Sequence, residues 1–188
     1  MKGNARSSGY DRQAENWYQE SAGCVDAVIA AEGFDGLVYD PAAGEGNIPR
    51  RCAAAGINCI GSDVIDRGAG FPVLDFLAML DGAADGYSCE VSHVLCNPPF
   101  DVSQQFVERA LDLVPGKVVV LQRLAWLEGQ KRRLFFERTR LSHVWVHSSR
   151  ISMPPGGQGI VATGGAVAYA WYVWRRDGSW PTTLSWLA

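Results

Sequence analysis

The sequence has little of what staples a fold, binds a metal or enters a membrane. Its five cysteines, Cys24, Cys52, Cys59, Cys89 and Cys96, are odd in number and scattered, with no Cys-x-x-Cys spacing. That pattern argues against a disulfide framework and against a zinc site, and reads as small buried hydrophobes. The three histidines, His93, His143 and His147, fall within strand-like segments without clustering, so no metal is expected. No apolar run approaches the roughly 20 residues that cross a bilayer, and Met1 to Arg6 lacks the apolar core of a secretion signal. No membrane partner is expected, and the expected location is the cytoplasm. Basic charge is not in surplus: 17 Lys and Arg against 20 Asp and Glu leave a net charge of −3, so charge alone does not supply a tight grip on nucleic acid. One local run, Lys131-Arg132-Arg133 with Arg138, Arg140 and Arg150, concentrates positive charge. A solvated helix face is its default reading and an anion-binding patch the alternative. Internal repeats and low-complexity tracts are also missing.

What is present is the composition of a single globular domain, 47% hydrophobic and 20% charged over 188 residues, enough to bury about two-thirds of the surface of the unfolded chain. Residues 1–14 are polar and aperiodic and read as a mobile arm; residues 15–188 read as one domain. Cys24, Val25, Val28 and Ile29 recur at helical spacing between Ser21 and Ala31, with Gly33 as the stop. Gly36 to Asp40 reads as a buried strand, Asn47 to Ala55 as a helix closed by Gly56, and Asn58 to Asp63 as a second strand. Pro72 to Phe76 reads as a third strand and Val91 to Cys96 as a fourth. A helix capped by Ser103 follows, then a strand over Lys117 to Leu121 and a helix over Gln130 to Arg138. His143 to Ser148 and Ala166 to Trp174 read as strands flanking a Gly- and Pro-rich loop, Pro154 to Gly165. Strands alternating with helices imply an α/β fold with a mainly parallel sheet covered on both faces, and the two closing strands, joined without a helix, an antiparallel pair at one edge. Trp171 and Trp174 are expected to pack in the core.

In such sheets ligands bind where loops leave the carboxyl ends of strands. The first strand ends in Asp40-Pro41-Ala42-Ala43-Gly44-Glu45-Gly46, where Gly44 and Gly46 permit positive φ and close backbone approach to a ligand. A plain tight turn also explains two glycines. The second strand ends at Asp63, followed by Val64, at the distance where dinucleotide folds place a carboxylate for ribose hydroxyls. Pro49 stands where a third glycine would serve a pyrophosphate, which favours a phosphate-free nucleoside. Asp75 can accept from an adenine amino group with Phe76 flanking the ring; a turn-capping Asp is the plainer reading. Three acids at three successive strand ends match an adenosine ligand that carries a cationic centre.

After the fourth strand comes Asn97-Pro98-Pro99-Phe100. The prolines lack N–H donors and have φ fixed near about −65°, so the segment is a rigid frame of acceptors. The Asn97 amide oxygen and the Pro98 carbonyl together can take both hydrogens of a planar NH₂ group and turn its nitrogen lone pair toward a methyl sulfonium, by positioning and electrostatics rather than base catalysis. Phe100 offers a face for stacking. The plainer reading is a Pro-Pro strand stop.

These segments together resemble the amino-group class of S-adenosylmethionine-dependent methyltransferases, among them the N6-adenine DNA methyltransferases of phages and prophages. The likeness runs from about Glu15 to Trp174. Asp40 to Gly46 resembles the family's cofactor loop, Asp63 its ribose acid, Asp75-Phe76 its adenine pair and Asn97 to Phe100 its catalytic motif. Trp17-Tyr18-Gln19-Glu20 sits where an upstream cofactor motif lies, with Glu20-Ser21 in place of the frequent Thr-Pro. The resemblance implies a Rossmann-like class I methyltransferase fold with a mostly parallel seven-stranded sheet and an antiparallel last strand. It also implies S-adenosylmethionine as cofactor, DNA as partner and, for a phage product, a host cytoplasm.

No part of the chain outside this core is long enough for a separate target-recognition domain, and a base in a duplex must be flipped out to react. Arg150, Met153 and Pro154, with the Gly-rich loop beyond them, and Arg123 with Trp126 are the candidate substrate contacts. A glutamine amide in protein or a base in RNA presents the same planar amino group, and a binding subunit without catalysis is the alternative of a different class. Oligomeric state is not legible.

Overall fold

A computed structural model describes residues 17–79, 90–158, 167–178 and 180–188. The arm expected over residues 1–14 lies outside the described residues, as do Cys89 and most of the Gly-rich loop.

The first helix, α1 (Ala22–Glu32), starts where the Ser21 hydroxyl accepts from the Cys24 N–H and stops at Gly33, whose φ of 57° is cheap only for glycine. Strand β1 (Val38–Asp40) is fully buried. Helix α2 (Asn47–Ala54) follows Gly46 and carries Pro49 in its first turn, where a missing N–H costs nothing. Next come β2 (Cys59–Gly61), β3 (His93–Cys96), α3 (Ser103–Leu113), β4 (Val118–Arg123), a short 3₁₀ turn (Leu124–Leu127), α4 (Gln130–Thr139), β5 (His143–His147), β6 (Tyr169–Trp174) and β7 (Thr183–Leu187).

The seven strands form one sheet in the order β2-β1-β3-β4-β6-β5-β7. β1 to β4 are parallel neighbours, and β6 runs antiparallel to both β4 and β5, over the full register from Val118↔Trp174 to Arg123↔Tyr169 on the β4 side. β6 is buried along its length, with Trp171 and Trp174 packed in two apolar layers on opposite faces of the sheet. The expected antiparallel pair is present, with β7 outside it, parallel to β5.

Three details depart from the sequence reading. Ser103 opens α3 rather than capping it: Val102 stands at the cap without a side-chain bond, and the Ser103 hydroxyl donates to the Pro99 carbonyl. Pro72 to Phe76 makes a single parallel bridge, Asp63↔Val73, rather than a strand; Val73 is 56% exposed, so no burial repays a longer ladder. β7 carried no strand signal because this edge strand buries only Leu187 of its five residues, leaving Trp186 exposed. No helix among the described residues is long and apolar enough to cross a membrane.

Candidate active site

The carboxyl ends of β1, β2 and β3 surround a mainly apolar cavity of about 180 Å³. Pro41 and Ala42 line it from the loop after β1, Asp63, Val64 and Arg67 from the loop after β2, and Asn97 and Pro99 from the loop after β3. Leu74 to Leu77, Val102 and Phe106 close one side, and Trp17 and Tyr18 another. Sequence-expected residues from five separate segments thus meet in one place.

Both glycines of the first loop adopt positive φ, 54° at Gly44 and 82° at Gly46. A side chain would also meet the chain itself here: a Cβ at Gly44 would lie 2.9 Å from the Trp17 indole nitrogen, and one at Gly46 2.7 Å from the Phe71 ring. The Gly44 N–H donates to Asp63 Oδ2 at 2.9 Å while Ile65 N–H donates to Oδ1 at 3.0 Å, so the acid that ends the β2 loop is held by two backbone donors. Arg67 lies 3.6 Å from Asp63 and stacks over Trp17 at 4.2 Å. Asp75 uses one oxygen to accept from Leu77 and Ala78 N–H groups, the turn-capping role, while also lining the cavity beside the buried Phe76.

Asp40 is 1% exposed and accepts from Ala42 N–H at 3.1 Å. Burial pushes its carboxyl well above the ordinary range, and the nearby Glu20 and then Asp63 push it further. Glu20, buried just before the α1 cap, was read in the sequence only as part of the Trp17–Glu20 segment, with no contact assigned to it. Among the described residues, neither Asp40 nor Glu20 meets a Lys or Arg.

The acceptors of Asn97-Pro98-Pro99-Phe100 divide into used and unused. Val102 N–H and the Ser103 hydroxyl donate to the Pro99 carbonyl, and Gln122 donates to that of Phe100. The Asn97 nitrogen donates to the Tyr18 carbonyl and to Glu20 Oε2, both at 2.8 Å. Both partners are pure acceptors, so the amide orientation is unambiguous. Its oxygen, Oδ1, and the Pro98 carbonyl have no donor among the described residues.

Other expected contacts are placed differently. Arg123 lies over the Phe100 ring at 4.8 Å, with Tyr18 parallel to that ring and Tyr169 tilted against it, so a planar target stacks on that face only by displacing the guanidinium. Met153 is buried in the core rather than turned to a substrate. Pro154 accepts from Gln19 N–H, and with Pro155 and Gly156 it makes a short antiparallel ladder that pins the Trp17–Glu20 segment. Arg150 is exposed. Cys24 and His147 lie 3.3 Å apart, but burial raises the thiol and lowers the imidazole, a neutral pair and no activated nucleophile. No metal-holding group of His, Cys, Asp or Glu occurs among the described residues.

No protein-family model matches the chain, and no curated protein matches it. Solved structures do. A protein proposed to be an RNA methyltransferase, from Pyrococcus horikoshii, superposes with a TM-score of 0.59 at 16% identity over 82% of each chain. A proposed class I S-adenosylmethionine-dependent methyltransferase from Listeria monocytogenes gives 0.55 at 14% identity, covering 88% of this chain and 62% of that one. The M protein of the type I restriction enzyme EcoKI gives 0.57 at 14%, covering 86% and 44%. The chain therefore spans less than two-thirds of the last two. Identities this low speak for architecture alone, and the architecture is that of a Rossmann-like class I methyltransferase.

Proposed function

We propose that this chain is an S-adenosylmethionine-dependent methyltransferase acting on a planar amino group, with the N6 amine of adenine in DNA as its substrate. The observation that carries the reading is the division of acceptors in the tetrapeptide. Asn97, which lines the cavity, spends both amide hydrogens on Tyr18 and Glu20, which leaves its oxygen for a ligand, and the Pro98 carbonyl next in sequence has no donor among the described residues. Two acceptors and no donor suit an NH₂ group and repel a carbonyl or ring nitrogen.

The cavity fits the cofactor on its own chemistry. Apolar walls suit an adenosine, Asp63 suits ribose hydroxyls, and the buried acids Glu20 and Asp40, without cations of their own, favour a ligand bearing positive charge. Bound there, the cofactor supplies an electrophilic methyl on a sulfonium. The target amine would take that methyl through its nitrogen lone pair and release its proton to water. Asn97 and Pro98 hold the two amine hydrogens and stabilise charge growing on nitrogen, worth about 10²–10³-fold per preorganised group in comparable sites.

Adenine in DNA rests on the motif resemblance and on the likeness to the type I restriction M protein; RNA bases and glutamine amides share the same geometry. Labelled methyl transfer to unmethylated DNA, RNA and ribosomal-factor protein, with identification of the modified residue, decides among them. Asn97→Ala is expected to lower turnover about 10²–10³-fold with cofactor affinity nearly unchanged. Full activity in that variant would overturn the assignment, and absence of saturable cofactor binding by the intact protein would leave the binding-subunit reading.

A further inference from the structure

We propose that Glu20 is a positioning residue that sets the direction of the Asn97 amide, and that Asn47 sets Glu20 in turn. The inference rests on Asn97 as the acceptor of the substrate amine.

A primary amide has nearly the same shape when flipped by a half-turn, so only its neighbours decide which end faces a ligand. Here Asn97 donates to Glu20 Oε2 at 2.8 Å, and Asn47 donates to Glu20 Oε1 at 3.0 Å. Two amides thus converge on one carboxylate, each giving a hydrogen to a different oxygen. Asn47 is fixed at the first position of α2 and donates also to the Glu20 main-chain carbonyl at 2.9 Å. The start of the helix behind the first loop and the acceptor loop after β3 are joined through this one side chain.

Only a group with two acceptor ends and no donor satisfies both neighbours at once. A carboxamide at position 20 must turn its own NH₂ toward either Asn47 or Asn97, both of which already present NH₂. Relief comes from a flip or a lost bond. When Asn97 flips, a donor faces the substrate amine and the lone pair is no longer aimed. Polarity can be restored without the original residue: a carboxylate at position 47 accepts from the carboxamide at position 20, whose oxygen then faces Asn97 again. Net charge is unchanged in that pair.

The test compares wild type, Glu20→Gln and the double variant Glu20→Gln with Asn47→Asp. In Glu20→Gln, kcat is expected to fall about 10–100-fold, beyond the few-fold rise in cofactor Kd that loss of the buried charge brings. The double variant is expected to recover about 10-fold of the loss, incompletely because the Glu20 carbonyl loses its donor. The Asn97 side-chain NH₂ signals in a ¹⁵N-correlated spectrum of the cofactor-free protein are expected to shift in the single variant and return in the double. A kcat within about 3-fold of wild type in Glu20→Gln, or a loss that the double variant does not recover, overturns the proposal. If wild type itself transfers no methyl group to any amino acceptor, the proposed function fails, and the NH₂ signals alone then decide: return in the double variant upholds the role of Glu20, and an unmoved spectrum removes it.

Discussion

The two ends of the sheet treat buried carboxylates in opposite ways. At the amino ends of the strands, Glu32 closes α1 with its side chain 1% exposed and is surrounded by positive partners. The Arg175 guanidinium donates to both of its oxygens, Lys117 lies 3.5 Å away, and the Trp145 indole N–H donates at 2.6 Å. Lys117 also donates to the Gly33 carbonyl, where the exposed carbonyls of α1 favour a cation. At the carboxyl ends, Glu20, Asp40 and Asp63 are buried with amide donors, and a single guanidinium 3.6 Å from Asp63 is the cationic company among the described residues. A charge neutralised within the fold holds the fold together. Charges kept without cations cost stability and, under the proposed function, leave a field for a ligand, so the same residue type would mark architecture at one end and function at the other.

The largest effect expected from breaking this contrast is at the compensated end. Glu32→Ala strands Arg175 and Lys117 beside an emptied site, which costs about 3–5 kcal/mol and lowers the melting temperature by roughly 10 °C. Cofactor affinity and turnover below the transition are expected to stay at wild-type values. Calorimetry paired with a transfer assay checks both halves; a stable but inactive variant would erase the distinction between the ends.

A smaller effect, of the opposite kind, is expected at Asp63. An amide there keeps one acceptor for the Gly44 or Ile65 N–H and loses the other together with the charge. Asp63→Asn is expected to weaken S-adenosylmethionine binding about 10-fold, or about 1.4 kcal/mol, with a melting shift of less than about 3 °C. Titration calorimetry measures the first quantity. A large melting loss with unchanged affinity would place Asp63 with Glu32 as a structural acid.

Legibility in the sequence followed the range of the forces involved. Strands β1 to β4 and the acceptor loop were readable because buried apolar runs, glycines with positive φ and paired prolines act within a few residues. The contacts of Glu20 were not, because its partners Asn47 and Asn97 lie 27 and 77 positions away. Arg67 escaped for the same reason, and Trp17 was noted only by its place in the upstream segment. Gly44 was found from its positive φ, and the indole that a Cβ there would meet comes from a residue 27 positions away. Pro72 to Phe76 was over-read because apolar residues beside prolines imitate a strand, and β7 was under-read because an edge strand need not bury its side chains. Met153, taken for a substrate contact from its place beside a loop, is core.

The smallest effect separates cost from function within the uncompensated end. Asp40 is buried, and both its burial and its acidic neighbours hold the native carboxyl above the value of about 3.8 at which an ordinary carboxyl titrates. The native protein therefore keeps this proton to higher pH than the unfolded chain does, and stability falls as pH rises from about 3.8 through the raised native value. Asp40→Asn removes that loss while an amide oxygen can still accept from Ala42. The ligand-free variant is expected to melt about 2–4 °C above wild type near neutral pH, equivalent to about 1 kcal/mol, with the advantage shrinking toward zero as pH falls to about 4. Cofactor affinity is expected to drop a few-fold in the same variant, because the field that destabilised the empty site favoured the cationic ligand. Melting curves across pH with and without cofactor measure both. A gain in stability that persisted undiminished in acid would trace to packing instead of charge, and a gain without loss of affinity would show that the buried acid at the end of β1 is tolerated by the fold without serving the ligand.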